Sequence, residues 1–387
     1  RPQDAHRRRF LHEAWTGCGC KEAAAAEEAL LARFVKSPHS LSRVPIDLPG
    51  LGLGRQYIAT LEINPDAAGP AIVWAHGAGA GLGFGYLNYD ALAQLGGLRR
   101  RVLAFDWLGQ ANSSRPRYPH SGWGRAQPDH LSAALAFFVE SLEAWRAVLG
   151  VEEMDLFGHS TGAYVCTHYA LAHPHRVRRL VLHGPAGIGA HPQPKVPGQP
   201  RRLAGVLPAL LGALWWGGHL NFGAIQKLGR VAREPGRRRF HHFQRSRRGN
   251  VEDEGELDLL FDYFWTSLCS QPASSDSWVN SFLLFKEGLT EDGSEHFGLY
   301  ARRPLADESP ERLATLPPIL LLFGDRDWVW TPSVVRAADE AFPRCTLRVI
   351  EHAQHHLYLD RPDEFHKLAA EALAGEGGCA APGSASV

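Results

Sequence analysis

The sequence predicts an α/β fold, a mostly parallel, doubly wound sheet with a helical lid inserted late in the chain. Three observations point there. A unit recurs in which a short apolar run ends in Gly-rich punctuation and gives way to helical spacing, the pattern of strands alternating with helices. The rhythm breaks between about Gly187 and Leu305, in a stretch that reads largely as helix, and then resumes. The polar, Gly-rich motifs all follow apolar runs, which puts them at the carboxyl ends of the strands, where sheets of this kind bind ligands.

The opening segment, 1–37, carries an Arg cluster, Trp15 and KEAAAAEEALLARF, whose Ala, Glu and Leu content favours a helix. It is expected to be helical and to lie against a membrane. Residues 38–186 hold the first part of the sheet. AIVWA (71–75) runs into HGAGAGLG, RVLAF (101–105) into DWLGQ, EEMDLF (152–157) into GHSTG, and VRRLVLH (177–183) into GPAG. The insertion, 187–305, opens with HPQPKVPGQPRR and the apolar LLGALWW run. A basic stretch from Arg233 to Arg248 and an acidic block from Glu252 to Asp258 follow. LDLLFDYFWTSL and SWVNSFLLF then show helical spacing. From 306 to 374 the sheet resumes, with PILLLF (318–323) entering GDRD and CTLRVI (345–350) entering EHAQHH. The tail, 375–387, is small and polar and is expected to be disordered.

Composition excludes several classes. The 41 Lys and Arg balance 41 Asp and Glu, so no basic surplus exists for wrapping nucleic acid. The 6 cysteines are scattered without a C-x-x-C pair, which argues against a zinc site or a small disulfide scaffold. The longest apolar run, Leu203 to Trp216, falls short of the ~20 residues a membrane helix needs and contains Pro208. The sole methionine is Met154, so the sequence reads as lacking its initiator, and mitochondrial or plastid targeting stays open.

Gly158-His159-Ser160-Thr161-Gly162 lies between a predicted strand and a predicted helix. A nucleophile elbow needs that setting, because the serine must occupy a strained turn that lifts its hydroxyl clear while Gly158 and Gly162 let neighbouring chain pass close. A serine needs a base, and the base an orienting acid, in the chain order Ser, acid, His. Asp325 and Asp327 follow PILLLF. Asp327 stands further into its loop and is the better acid, leaving Asp325 as a turn former or a partner of Arg326. His352, His355 and His356 share the last loop. His355 is preferred, since His352 abuts the strand end and His356 precedes an apolar stretch.

The oxyanion needs donors fixed in advance. The N–H of Thr161 supplies one, and that of Ala78, in HGAG after AIVWA, is taken as the second. The glycine-rich loop lacks the Lys-Ser/Thr of a phosphate-binding loop, and the sequence calls for no cofactor or metal.

The motifs WAHGAGAG (74–81), FDWLGQANSSRP (105–116), FVESLEAWRAVLG (138–150), GHSTGAY (158–164) and LVLHGPAG (180–187) resemble the lipid-acting branch of the α/β-hydrolases. So do ARRPL (301–305), FGDRDWV (323–329) and HHLYLDRPDEF (355–365). That branch contains the animal α/β-hydrolase-domain proteins four and five, a yeast cardiolipin-specific deacylase and plant relatives. The resemblance covers most of the chain and implies the α/β-hydrolase fold with a Ser160, Asp327, His355 triad. It also implies an H-x-x-x-x-D pattern, His355 to Asp360, that has been read as an acyltransferase motif. Asp360 is expected instead to cap the next helix or orient the loop. Some members of the branch carry Asn at the place of Ser160 and regulate another lipase.

The expected function is therefore a serine hydrolase acting on acyl esters of phospholipids or lysophospholipids, with acyl transfer to lysophosphatidic acid from acyl-CoA as an extension. A non-catalytic lipid-surface scaffold regulating a partner lipase and a general carboxylesterase are the alternatives. Trp215, Trp216 and the basic stretch, with Arg237, Arg238, Arg239, Arg245, Arg247 and Arg248, suit a cytoplasmic protein peripheral on membranes or lipid droplets.

Overall fold

The computed structural model describes residues 21–118, 128–189, 233–248, 251, 253–269, 271, 274–275, 278–289, 295–329 and 332–375. Residues 21–34 form helix α1. Two strands without a counterpart among the predicted runs follow, β1 (His39–Leu48) and β2 (Leu53–Ile63), paired antiparallel. Val44, Ile46, Leu48 and Ile58 point into the core from otherwise polar sequence, the alternation of strands with one wet face.

The apolar runs become β3 (Ala71–Ala75), β4 (Val102–Phe105), β5 (Met154–His159), β6 (Val177–His183), β9 (Ile319–Gly324) and β10 (Cys345–Ile350). The eight strands line up as β1-β2-β4-β3-β5-β6-β9-β10. β2 is antiparallel to both its neighbours, and the pairings from β4 to β10 are parallel. Helices α2 (Pro128–Val148), α3 (Thr161–Ala172), α7 (Pro332–Ala341) and α8 (Pro362–Ala374) cover the sheet.

Every residue of β3, β4 and β9 is buried, so both faces must be sealed. Alternation divides each strand between two cores. Ala71, Val73, Ala75, Leu103, Phe105, Leu321 and Phe323 pack with Phe138 and Trp145 of α2 and Val165 of α3. Ile72, Trp74, Val102, Ala104, Leu320 and Leu322 pack with Leu30 and Leu31 of α1 and Phe365 of α8. Trp74 is fully buried among Tyr89, Phe157, Tyr358 and Phe365, a contact set worth about 3–5 kcal/mol if truncated to Ala.

Between β6 and β9 the chain leaves the main sheet. It forms α4 (Arg233–Arg248), α5 (Glu254–Phe264), a π-turn (Trp265–Cys269), α6 (Trp278–Phe282) and a two-stranded ribbon, β7 (Leu283–Leu289) with β8 (Glu295–Ala301). SWVNSFLLF is thus not one helix. It turns to strand at Leu283, because a short apolar run fits either state and an antiparallel partner is at hand.

The basic stretch and the acidic block pack against each other as α4 and α5. Arg233 meets Asp262 at 2.7 Å, Arg237 meets Asp258 at 3.3 Å, and Arg245 and Arg248 meet Glu254 and Glu256. Among the described residues, Arg238 and Arg239 alone on α4 have no acidic partner, so most of the positive charge expected to face lipid is already neutralised. Trp15, the Pro-rich start, the LLGALWW run with Trp215 and Trp216, and the tail lie outside the described residues. Among the described residues no helix is long and apolar enough to cross a membrane.

Candidate active site

β5 delivers the chain into Ser160 and α3 begins at Thr161, so one residue makes the whole turn. Ser160 takes φ 52° and ψ −123°, a left-handed conformation that costs a non-glycine residue about 1–3 kcal/mol and is retained where surrounding contacts impose it. Its N–H donates to the His183 carbonyl at 3.1 Å, and its own carbonyl accepts from Ala186 at 3.2 Å. The flanking glycines are sterically required. A Cβ on Gly162 would lie 2.2 Å from the His76 carbonyl oxygen, and one on Gly158 would lie 2.8 Å from the Ala163 Cα.

The structure brings Ser160, His355 and Asp327 into one line of hydrogen bonds. The Ser160 hydroxyl donates to His355 Nε2 at 2.9 Å, and His355 Nδ1 donates to Asp327 Oδ1 at 2.9 Å and Oδ2 at 3.1 Å. This fixes the histidine tautomer with its free nitrogen toward the serine. Asp327 is buried, accepts the Val329 N–H at 2.9 Å, and stands on the loop after β9. Gly184 closes the site. A Cβ there would sit 3.0 Å from Asp327 Oδ2 and 3.1 Å from His355 Nδ1.

The alternatives go elsewhere. Asp325 accepts the Ala353 N–H at 3.1 Å and ties its loop to the His355 loop. His352 receives Arg326 Nη2 at 3.0 Å, and His356 hydrogen-bonds the Tyr358 hydroxyl at 3.0 Å. Asp360 touches neither Ser160 nor His355. Its Oδ1 accepts from Arg247 of α4 at 2.9 Å and its Oδ2 from the Gln354 N–H at 2.8 Å, so it holds the loop in place.

The loop after β3 lies against the elbow, since a Cβ on Gly77 would meet Ser160 Cβ at 2.9 Å. This places Ala78 beside the turn. Thr161 is the first residue of α3, where helical N–H groups have no partner from a preceding turn. The loop is anchored from below. His76 Nδ1 donates to the Gly77 carbonyl at 2.8 Å, its Nε2 accepts the Trp107 N–H at 3.3 Å, and Trp107 Nε1 donates to the His76 carbonyl at 2.8 Å. Burial pushes His76 down to about 4 and keeps it neutral, as those roles need.

Several contributors carry no signal in a motif reading. His159 Nε2 donates to the His355 carbonyl at 3.0 Å, and burial holds it, His183 and His356 neutral. Trp328, next to Asp327, stays 52% exposed with its ring 5.0 Å from that of His355. Tyr263 of α5 accepts the Gly83 N–H at 3.0 Å. Their partners lie far away in sequence, so spacing could not reveal them. Among the described residues no cluster of ligands suits a metal.

Residues 70–362 match the family model described as alpha/beta hydrolase fold. A 1-acylglycerol-3-phosphate O-acyltransferase of Arabidopsis thaliana is 30% identical, over 88% of this chain and 78% of that one. A (lyso)-N-acylphosphatidylethanolamine lipase of Mus musculus is 29% identical, over 89% and 87%. Among solved structures, carboxylesterase CesB of Bacillus subtilis superposes with a TM-score of 0.58 at 18% identity, covering 92% of this chain and 99% of that one. A bacterial membrane phospholipase A gives 0.55 at 18%, covering 96% of each. With a matched family model over most of its length, and with the sheet order, elbow and loop order of that fold, the chain belongs to the α/β-hydrolase fold family.

Proposed function

We propose that this protein is a serine hydrolase that cleaves acyl ester bonds of phospholipids or lysophospholipids through an acyl-enzyme on Ser160. The hydrogen-bonded line from Ser160 through His355 to Asp327 carries this reading. His355 Nε2 takes the serine proton as Oγ attacks the ester carbonyl, Asp327 stabilises the imidazolium, and the N–H groups of Thr161 and Ala78 receive the oxyanion. His355 then protonates the departing alcohol. A water, deprotonated by the same nitrogen, attacks the acyl-serine and releases the fatty acid.

The lipid class is supported by the relatives, whose names specify acylated phosphate-bearing lipids. If Ser160 instead attacked the thioester of acyl-CoA, with the CoA thiol leaving protonated by His355, the same acyl-enzyme would pass its acyl group to lysophosphatidic acid when that alcohol replaced water. Residues 187–305 are taken as a cap over the site, 1–37 as a membrane-facing segment, 38–186 and 306–374 as the two parts of the core, and 375–387 as a tail. Half-exposed Trp328 at the site, with Arg238 and Arg239 on α4, supports peripheral contact with an anionic membrane or lipid droplet from the cytoplasm.

Fatty-acid release from a panel of phospholipids and lysophospholipids tests the proposal. Ser160→Ala should abolish release and labelling by a fluorophosphonate, and retained release would refute it. Lysophosphatidic acid with and without acyl-CoA separates hydrolysis from transfer.

A further inference from the structure

Helix α1 buries a carboxyl beneath the loop that carries Ala78. Glu27 is 4% exposed, and its Oε2 finds no hydrogen-bond partner among the described residues. It faces Asp106, at the end of β4, with Asn112 and the Tyr263 hydroxyl alongside. Asp106 is fully buried and each of its oxygens accepts a backbone N–H. Oδ1 accepts the Leu82 N–H at 2.7 Å, and Oδ2 accepts the Asn112 N–H at 2.9 Å. Leu82 belongs to the 77–85 loop, whose Gly83 N–H goes to Tyr263 and whose Leu82 carbonyl accepts from the Tyr89 hydroxyl. The fit is close, since a Cβ on Gly81 would lie 3.0 Å from Asp106 Oδ1 and 2.1 Å from the Tyr263 hydroxyl.

Two buried anions facing each other would repel, whereas a carboxylate with two N–H donors beside a protonated acid is stable. The asymmetry of the partners says where the proton sits. Asp106 receives two backbone N–H groups, as an anion does, whereas Glu27 has only the Asn112 side chain and the Tyr263 hydroxyl to support a charge, and its Oε2 has no partner among the described residues.

We propose that Glu27 is a positioning residue: it bears the proton of a Glu27–Asp106 pair, leaving one negative charge on Asp106 that holds the 77–85 loop, and with it the Ala78 N–H, in place for the oxyanion. The inference rests on the serine-hydrolase reading of Ser160. Burial, with the Asp106 charge adding to it, pushes the Glu27 carboxyl well above its ordinary value, while burial raises Asp106 only to about 7, so the single charge on Asp106 forms first and the Glu27 proton is lost at still higher pH. The other groups facing the pair do not titrate in the working range. His76, 3.8 Å from Asp106, is held neutral by burial, Tyr89 and Tyr263 are pushed up, and Arg115 is a fixed cation that favours the Asp106 charge. A carboxyl raised in the folded state lends stability below its ordinary value of about 4 and loses it as pH climbs through the raised value. The loop should therefore loosen on the alkaline side.

Steady-state hydrolysis of p-nitrophenyl butyrate from about pH 6 to about pH 9 tests this with wild type, Glu27→Gln and Glu27→Ala. Wild-type kcat should decline on the alkaline side of the Asp106 ionisation near pH 7, and Glu27→Gln, which cannot lose a proton, should flatten that decline. Glu27→Ala should lower kcat about tenfold with little change in KM, as partial displacement of one oxyanion donor would. Superimposable normalised profiles for wild type and Glu27→Gln would overturn the proposal. If wild type neither turns over ester nor labels with fluorophosphonate, the reading of Ser160 falls. Thermal midpoints against pH then decide Glu27 alone. A steeper alkaline fall in wild type than in Glu27→Gln supports the shared proton, and parallel curves refute it.

Discussion

Replacing Arg247 by Met removes the cation from a pair whose side chains are 2% and 0% exposed. Asp360 would keep the Gln354 N–H at 2.8 Å but lose the guanidinium bond at 2.9 Å. Deleting one member of a buried pair costs about 3–5 kcal/mol. The remaining bond, and burial that already pushes the Asp360 carboxyl up toward protonation, place this case near the lower end, at about 3 kcal/mol. For a chain of 387 residues that lowers the thermal midpoint by roughly 4 °C. Arg247→Met with Asp360→Leu fills the same space with apolar atoms and should recover most of the loss, because such replacements are often close to neutral. Activity should not recover with stability, since the Gln354 N–H has lost its acceptor and His355 is the next residue. Urea and thermal unfolding of the four proteins of this cycle, with kcat for each, make the measurement. Single variants within about 0.5 kcal/mol of wild type, or losses that simply add, would show that the pair is not coupled and refute the reasoning.

Two further outcomes follow from the site. Gly162→Ala sets a methyl 2.2 Å from the His76 carbonyl oxygen, a backbone atom that cannot swing aside. It should cost about 1–3 kcal/mol and strongly slow fluorophosphonate labelling, read by melting and probe kinetics. Trp328→Ala should change stability by less than about 0.5 kcal/mol, because the side chain is half exposed. It should cut kcat/KM on anionic lipid vesicles about tenfold and on a soluble short-chain ester much less, whereas equal losses on both would mean that Trp328 only supports His355.

The elements legible in the sequence were those whose signal is local. Every strand inferred from an apolar run is present; in AIVWA and PILLLF burial on both faces forces continuous apolar sequence, whereas edge strand CTLRVI is largely half-buried or exposed. The elbow was legible because strained turns demand glycine, and Gly158 and Gly162 each answer to a named neighbour. β1 and β2 were not legible. Their exposed faces dilute the apolar signal, and HSLSRVPIDL resembles a loop as much as a strand. The pairing of α4 with α5 was equally hidden. A basic stretch beside an acidic block reads as two solvated surfaces until geometry shows Arg233, Arg237, Arg245 and Arg248 each facing a carboxylate.

The same long-range contacts bear on what the insertion can do. α5 reaches the 77–85 loop through Tyr263, and α4 reaches the His355 loop through Arg247, so the two helices grip both sides of the site. Lifting them together would hand the Arg247–Asp360 pair and the Gly83 N–H over to water, so each loses only the net value of its bond, about 1.5–3 kcal/mol for the charged one and about 0.5–1.5 kcal/mol for the N–H. A sum of about 2–4 kcal/mol is roughly 30- to 1,000-fold in rate, since each 1.36 kcal/mol is tenfold, and so biases the α4–α5 pair toward staying closed over both loops. Half-exposed Trp328 marks the side of His355 on which the site is already open to solvent.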